Sequence, residues 1–132
     1  MAQPTKISLY QLIGGELGVK NLVKVFYDRV ETDPAGRPLL AMHNMGHGLA
    51  HARQAQFEFL SGFLGGPQLY YEHYRHSNVR TAHAHLTIGF VERDAWLACM
   101  QKALHEIPIN GEVRVLLMAH FSRVAEVLRT TV

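Results

Sequence analysis

Apolar residues recur at helical spacing along most of the chain. Val19, Leu22, Val23, Phe26, Tyr27 and Val30 stand three or four residues apart, one face of a helix from about Leu17 to Thr32, with Lys24, Asp28 and Arg29 off that face. A second stripe, Leu49, Ala52, Gln56, Phe59, Leu60 and Phe63, is closed by Gly65-Gly66-Pro67. The third helix is expected from Ile88 to Ile107, its buried face formed by Trp96, Met100, Ala103, Leu104 and Ile107. Glu92 and Asp94 lie in its first turns, where the helix dipole favours negative charge, and Pro108 follows its end. Asn110 can cap the last helix, with the stripe Val113, Leu116, Leu117, His120, Phe121, Val124 and Leu128. Before all of these, Ser8 can cap a short helix carrying Leu9, Leu12 and Ile13 that Gly14-Gly15 ends. Between the first two long stripes, Pro34, Gly36, Pro38, Gly46 and Gly48 leave room only for short turns or single helical turns, with Leu39, Leu40 and Met42 turned inward. From Gln68 to Thr87 the periodicity weakens and polar residues dominate. No segment alternates with period two over a convincing length, so the expected architecture is all-α, one domain over residues 1–132.

The stripes contain residues that a plain core does not need. Tyr27, Gln56 and Trp96 each carry a hydrogen-bond donor, and each falls on the apolar face of a different long helix. A buried Tyr or Trp is ordinarily a core residue whose polar tip has a partner. Gln56 is harder to explain that way, because an unpaired buried amide costs about 1–3 kcal/mol. Ala52, one turn before Gln56, is small enough to leave space beside it. Three inward donors on three helices suggest a pocket for a polarised ligand.

Nine histidines in 132 residues raise the prospect of metal or proton chemistry. His83 and His85 are two apart, so on a helix they point about 200° from each other and cannot share one metal. Val79, His83 and Leu86 fall on one face, which makes His83 the inward member. His43, His47 and His51 have the i, i+4, i+8 spacing of a metal-binding helix face, but Gly46 and Gly48 interrupt it and no Glu follows the first histidine as a base. His73 and His76, beside Glu72, read as surface residues, and Cys99 between Trp96 and Met100 reads as a buried thiol.

Composition narrows the classes. Apolar content of 48% and charged content of 18% are those of an ordinary globular chain. A net charge of +2, with Lys and Arg scattered, gives no footprint for nucleic acid or an anionic membrane. No apolar run approaches the ~20 residues that span a bilayer, and Met1 to Tyr10 does not look like a secretory leader. A single cysteine excludes an internal disulfide framework. The expected location is the cytoplasm.

Phe26-Tyr27, Gly65-Gly66-Pro67, Tyr70, His83-Ala84, Ile88-Gly89 and the run Glu92-Arg93-Asp94-Ala95-Trp96-Leu97, continued by Cys99-Met100, together resemble the group II truncated haemoglobins. The resemblance extends from about Leu9 into the last helix, and its most specific part is the spacing from Gly65 through His83 to Trp96. It implies a two-over-two helical sandwich around haem b, with His83 as the proximal iron ligand and most of the helix before it reduced to an extended loop. Tyr27, Gln56, Trp96 and His43 then belong to the distal, ligand-binding side. Ala52, Phe59, Phe63, Tyr70, Arg80 and Ile88 are implied as haem contacts, with Arg80, Tyr70 and Arg53 as the candidates near its carboxylates. The chain departs from the family at Ala82, where relatives often carry Arg, and at His85-Leu86-Thr87, where they often carry Pro-Phe-Pro.

Donors around a polarised diatomic gas are each worth about 1.5–3 kcal/mol at best. A net 2–3 kcal/mol slows release roughly 30- to 150-fold. The expectation is high-affinity oxygen binding serving redox chemistry, such as nitric oxide oxidation or a peroxidase-like reaction, rather than bulk oxygen transport. An electron-donating reductase would be a partner, and the assembly a monomer or homodimer. Two other classes stay open: a non-haem metal protein using His43, His47 and His51, and a cofactor-free helical interaction module.

Overall fold

Ser8 opens α1 (Leu9–Ile13) with a reciprocal cap, its hydroxyl accepting from the Gln11 N–H while the Gln11 side-chain oxygen accepts from the Ser8 N–H. Gly14 ends α1 in the left-handed region at φ 110°, and α2 (Gly15–Thr32) begins at once. The computed structural model describes residues 7–45, 48–76, 78, 83, 86 and 88–129. All six apolar-face residues of α2, from Val19 to Val30, are buried. Asp33 then caps a 3₁₀ turn, Pro34–Gly36, by accepting from the Ala35 N–H at 2.9 Å.

The next element corrects the sequence expectation of isolated turns. α3 (Arg37–Met45) is a nine-residue helix. Pro38 sits in its first turn, where the N–H that proline lacks would have no helical acceptor, and no glycine occurs between Arg37 and Met45. Leu39 is buried, as its inward assignment required.

α4 (Leu49–Phe63) follows, and Gly65 at φ 97° turns the chain so tightly that a β-carbon there would come within 3.0 Å of Ser8. After the short α5 (Leu69–Tyr74) come α6 (Phe90–Glu106) and α7 (Gly111–Leu128). α6 starts two residues later than the periodicity suggested, because the Glu92 carboxylate accepts from the Gly89 N–H at 2.7 Å and makes Gly89 the cap. Asn110 caps α7 through the Glu112 N–H at 2.7 Å.

Two pairs of long helices form the body. α2 packs against α4 on one side and α6 on the other, and α6 packs against α7. Phe26, Leu22, Met100, Leu104, Leu117 and Phe121 are the large side chains at the centre of this arrangement. Burying each contributes about 1.5–3 kcal/mol. Ion pairs brace the helices outside: Arg29 of α2 donates to Glu106 of α6, and Arg93 of α6 donates to Glu126 of α7 at 2.5 Å. Arg129 and then Arg93 hold the Glu126 carboxyl down at about 2, while both guanidinium groups lie over the Phe90 ring. Exposed pairs of this kind add little individually.

Two stripes differ from their sequence reading. Leu116, expected inward, is 50% exposed, because α7 buries the narrower line Val113, Leu117, Phe121 and Ala125 against α6. On α4 the buried residues include Glu58 and Ser61, while Phe63 is 37% exposed and Phe59 half-buried. The expected core face of α4 instead borders a cavity. Among the described residues no helix is long and apolar enough to cross a membrane.

Candidate functional site

Two adjoining cavities lie between the helix pairs, with about 720 Å³ and 640 Å³ of space including their mouths. Such volumes suit a small molecule or cofactor. Both are lined by Tyr27, His43, Gln56, Phe59 and His83. Trp96, Phe63 and Ile88 face the first, Ala52, His51 and Tyr70 the second. The residues read from three separate helical stripes therefore line one space together with His83.

Tyr27 is 2% exposed, its ring edge-on to Phe26 at 4.8 Å, and Phe26 in turn lies 5.3 Å from Trp96. The core thus fixes both donors through one phenylalanine. Burial pushes the Tyr27 phenol well above its ordinary value, with Arg53 pulling weakly the other way, so it stays a hydroxyl donor at any ordinary pH. That hydroxyl donates to Gln56 Oε1 at 3.4 Å, the outer edge of a hydrogen bond. Gln56 Nε2 is consequently turned away from it, buried and without a partner among the described residues. An orphaned amide of this kind costs about 1–3 kcal/mol, which an acceptor occupying the cavity would relieve.

His43 behaves differently from the three donors. Its Nδ1–H donates to the Leu39 carbonyl at 2.7 Å, and burial pushes the imidazole below its ordinary value, against that bond. The ring is neutral at pH 7, with the proton on Nδ1 and Nε2 left as an acceptor. Sequence spacing could not show this, since the tautomer depends on where the Leu39 carbonyl lies.

His83 and Leu86 sit on a turn closed by the Leu86 N–H donating to the His83 carbonyl at 3.0 Å, and both are half-buried. Arg80, suggested as a haem contact, lies outside the described residues, as do His47 and His85. Arg53, suggested near the haem carboxylates, has its guanidinium committed to Asp28 and Glu31 of α2. His43 and His51 stand on separate helices with Gly48 at φ 87° between them, so the continuous helix face that the three-histidine metal site requires does not form. Among the described residues no three His, Cys, Asp or Glu side chains are grouped to hold a metal. Sequence reasoning missed part of the pocket wall: Met42, Arg93, Val124 and Leu128 also line the first cavity. Helical phase turned Met42, Val124 and Leu128 inward, but which inward residues border the space depends on how α3, α6 and α7 pack.

A helical sandwich whose largely apolar cavity is lined by an imidazole, a phenol, an indole and an amide has the form of a globin pocket. The bacterial-like globin family model matches residues 8–130. A group 2 truncated hemoglobin of Bacillus subtilis is 34% identical over 116 residues, covering 88% of this chain and 83% of that protein. Among solved structures, a cold-adapted truncated hemoglobin from the Antarctic marine bacterium Pseudoalteromonas haloplanktis superposes with TM-score 0.88 at 36% identity, covering 96% of this chain and all (100%) of the other. The group II 2-on-2 hemoglobin of Agrobacterium tumefaciens gives TM-score 0.87 at 32% identity, with 98% of each chain covered. The chain belongs to the bacterial-like globins, and within them to the group II truncated haemoglobins with their two-over-two helical sandwich.

Membership implies haem, and the residues present fit it. The cavities offer apolar walls from Phe59, Phe63 and Ile88, the His83 imidazole, and an orphaned donor at Gln56.

Proposed function

We propose that this globin, as one unit over residues 1–132, holds haem b through His83 and binds oxygen tightly with the help of Tyr27, Gln56 and Trp96. The observation that carries the reading is the buried Gln56 Nε2, without a partner among the described residues, on a side chain that touches the Tyr27 hydroxyl through Oε1 and lines the same cavity as His83. When bound, the haem iron supplies reversible binding of a diatomic gas and one-electron redox chemistry.

The protein's part follows from its own groups. His83 would offer iron a neutral ring nitrogen, its other ring nitrogen fixed by an acceptor. Tyr27, Gln56 and Trp96 would aim N–H and O–H groups at a ligand that becomes partly negative when polarised. In a dry pocket each such bond is worth about 1.5–3 kcal/mol at best. Because the donors are set by the core, little reorganisation accompanies binding. Neutral His43, donating to Leu39, adds an acceptor rather than a fourth donor. Phe59, Phe63, Ile88 and Tyr70 would wall the haem, and Ala52 leaves space beside it.

A donor set of this strength releases oxygen slowly, which suits oxidation of nitric oxide or peroxide activation, supported by an electron-donating reductase, better than oxygen delivery. An absorption spectrum of the purified protein with and without dithionite tests the haem: a Soret band that shifts on reduction is expected, and a colourless protein overturns the reading. Oxygen dissociation measured on Tyr27→Phe, Gln56→Leu and Trp96→Phe tests the donors. Unchanged rates in all three would break that part of it.

A further inference from the structure

Arg53 stands three residues before Gln56 on α4, so the two side chains leave neighbouring turns of the same helix. Its Nη2 donates to Asp28 Oδ1 at 3.1 Å and to Glu31 Oε1 at 2.9 Å, both on α2. Its guanidinium carbon lies 5.6 Å from the centre of the Tyr27 ring. Asp28 follows Tyr27 directly and also accepts from Lys24 at 2.8 Å. Lys24 first, and then Arg53, hold the Asp28 carboxyl below its ordinary value. The α2 turn that carries Tyr27 is therefore tied to the α4 turn that carries Gln56 by a two-carboxylate clasp on one guanidinium.

The clasp has two consequences at the pocket. The Tyr27 hydroxyl and Gln56 Oε1 are 3.4 Å apart, at the distance where a few tenths of an ångström decide whether the hydroxyl serves the amide or a guest. A cation over the ring face also draws electron density from the phenol, which makes its O–H a better donor. Arg53 is the charged group that pulls the Tyr27 phenol down against its burial, while His43 of α3, edge-on at 5.8 Å, is kept neutral by burial and Lys24 lies along α2 on Asp28. His83 borders the same cavity as a neutral ligand in the reading above.

We infer that Arg53 is a positioning residue for the oxygen-binding pocket: it locks α2 to α4 at the Tyr27–Gln56 pair and strengthens the Tyr27 hydroxyl as a donor. The inference rests on the proposed donor role of Tyr27. Its test is a double-mutant cycle on the haem-loaded protein, with Arg53→Met and Arg53→Lys each made in the wild-type and Tyr27→Phe backgrounds. Arg53→Met should speed oxygen dissociation about two- to fivefold when Tyr27 is present, and leave it unchanged when Phe replaces it. Arg53→Lys, which keeps the charge, should restore most of the difference. An equal change in both backgrounds, or none in either, overturns the inference.

A second readout needs no oxygen. With a fluorinated, more acidic tyrosine at position 27, fluorine NMR on the protein as purified should show the phenol titrating about half a pH unit higher in Arg53→Met. An unmoved titration overturns the charge effect and with it the inference. If Tyr27→Phe itself leaves oxygen release unchanged, the donor reading fails by that result alone, while the titration still reports on Arg53.

Discussion

The wall carrying Tyr27, Gln56 and Trp96 and the segment carrying His83 line the same cavity, yet different forces place them. The donor wall stands on α2, α4 and α6, with Phe26 wedged against both Tyr27 and Trp96 and fully buried. Its geometry is a by-product of core packing and exists before any ligand arrives. His83 lies between the six-residue α5 and the start of α6, half-buried, on a turn closed by the Leu86 N–H. Among the described residues no long helix carries it. The donor wall is thus set by the core, whereas the imidazole stands on a half-buried turn.

The largest contrast comes from His83→Ala. Its far-ultraviolet circular dichroism should match the parent, because the core does not rest on His83, while the Soret band is lost or the haem dissociates readily. A retained, unchanged Soret spectrum would remove His83 as ligand. Phe26→Ala attacks the other wall. It should cost about 3–5 kcal/mol in denaturant unfolding, and displace both Tyr27 and Trp96. Phe63→Ala, at a site 37% exposed, should cost well under half as much. Equal losses at the two phenylalanines would mean that the donor wall is no better anchored than the cavity rim.

Smaller effects sharpen the chemistry within the donor wall. Replacing Tyr27, Gln56 and Trp96 together by Phe, Leu and Phe should raise the oxygen dissociation rate roughly 30- to 150-fold, and single changes several-fold each. Stopped-flow release into dithionite reads this directly. The smallest effect concerns His43, whose folded-state value lies below the ordinary 6.5. The unfolded chain therefore takes up the proton first. The contribution of neutral His43 to stability is complete above that value and declines as the pH falls through and below it. Thermal unfolding followed between about pH 7 and 5.5 should show this loss, and His43→Phe should flatten it. Identical pH profiles for the two proteins would contradict the neutral assignment.

Much of the fold could be read along the chain because helix formation is largely local. The stripe of α2, the cap at Ser8, the glycine ends of α1 and α4 and the cap at Asn110 all follow from residues within a turn or two. Reading failed where neighbours in space outweighed neighbours in sequence. α3 formed because Pro38 fell in a first turn, and Leu116 turned outward because α7 buries only a narrow line against α6. The α4 face that looked like core became a cavity wall, since α2 and α6 leave space beside Phe59 rather than filling it.

By itself the sequence determined most of the inward side chains on the long helices, and it singled out Tyr27, Gln56 and Trp96 among them as candidate donors and His83 as the inward imidazole. Periodicity contains that information because it reports the phase of a residue around its own helix axis. Only the tertiary structure decided that the four share one space, that the Gln56 amide nitrogen is buried without a partner among the described residues, that His43 donates its Nδ1 proton to the Leu39 carbonyl, and that Arg53 is tied to Asp28 and Glu31. Those outcomes depend on the distance and angle between helices. Side-chain volumes at Phe26, Met100 and Phe121 set both, and no local pattern encodes them.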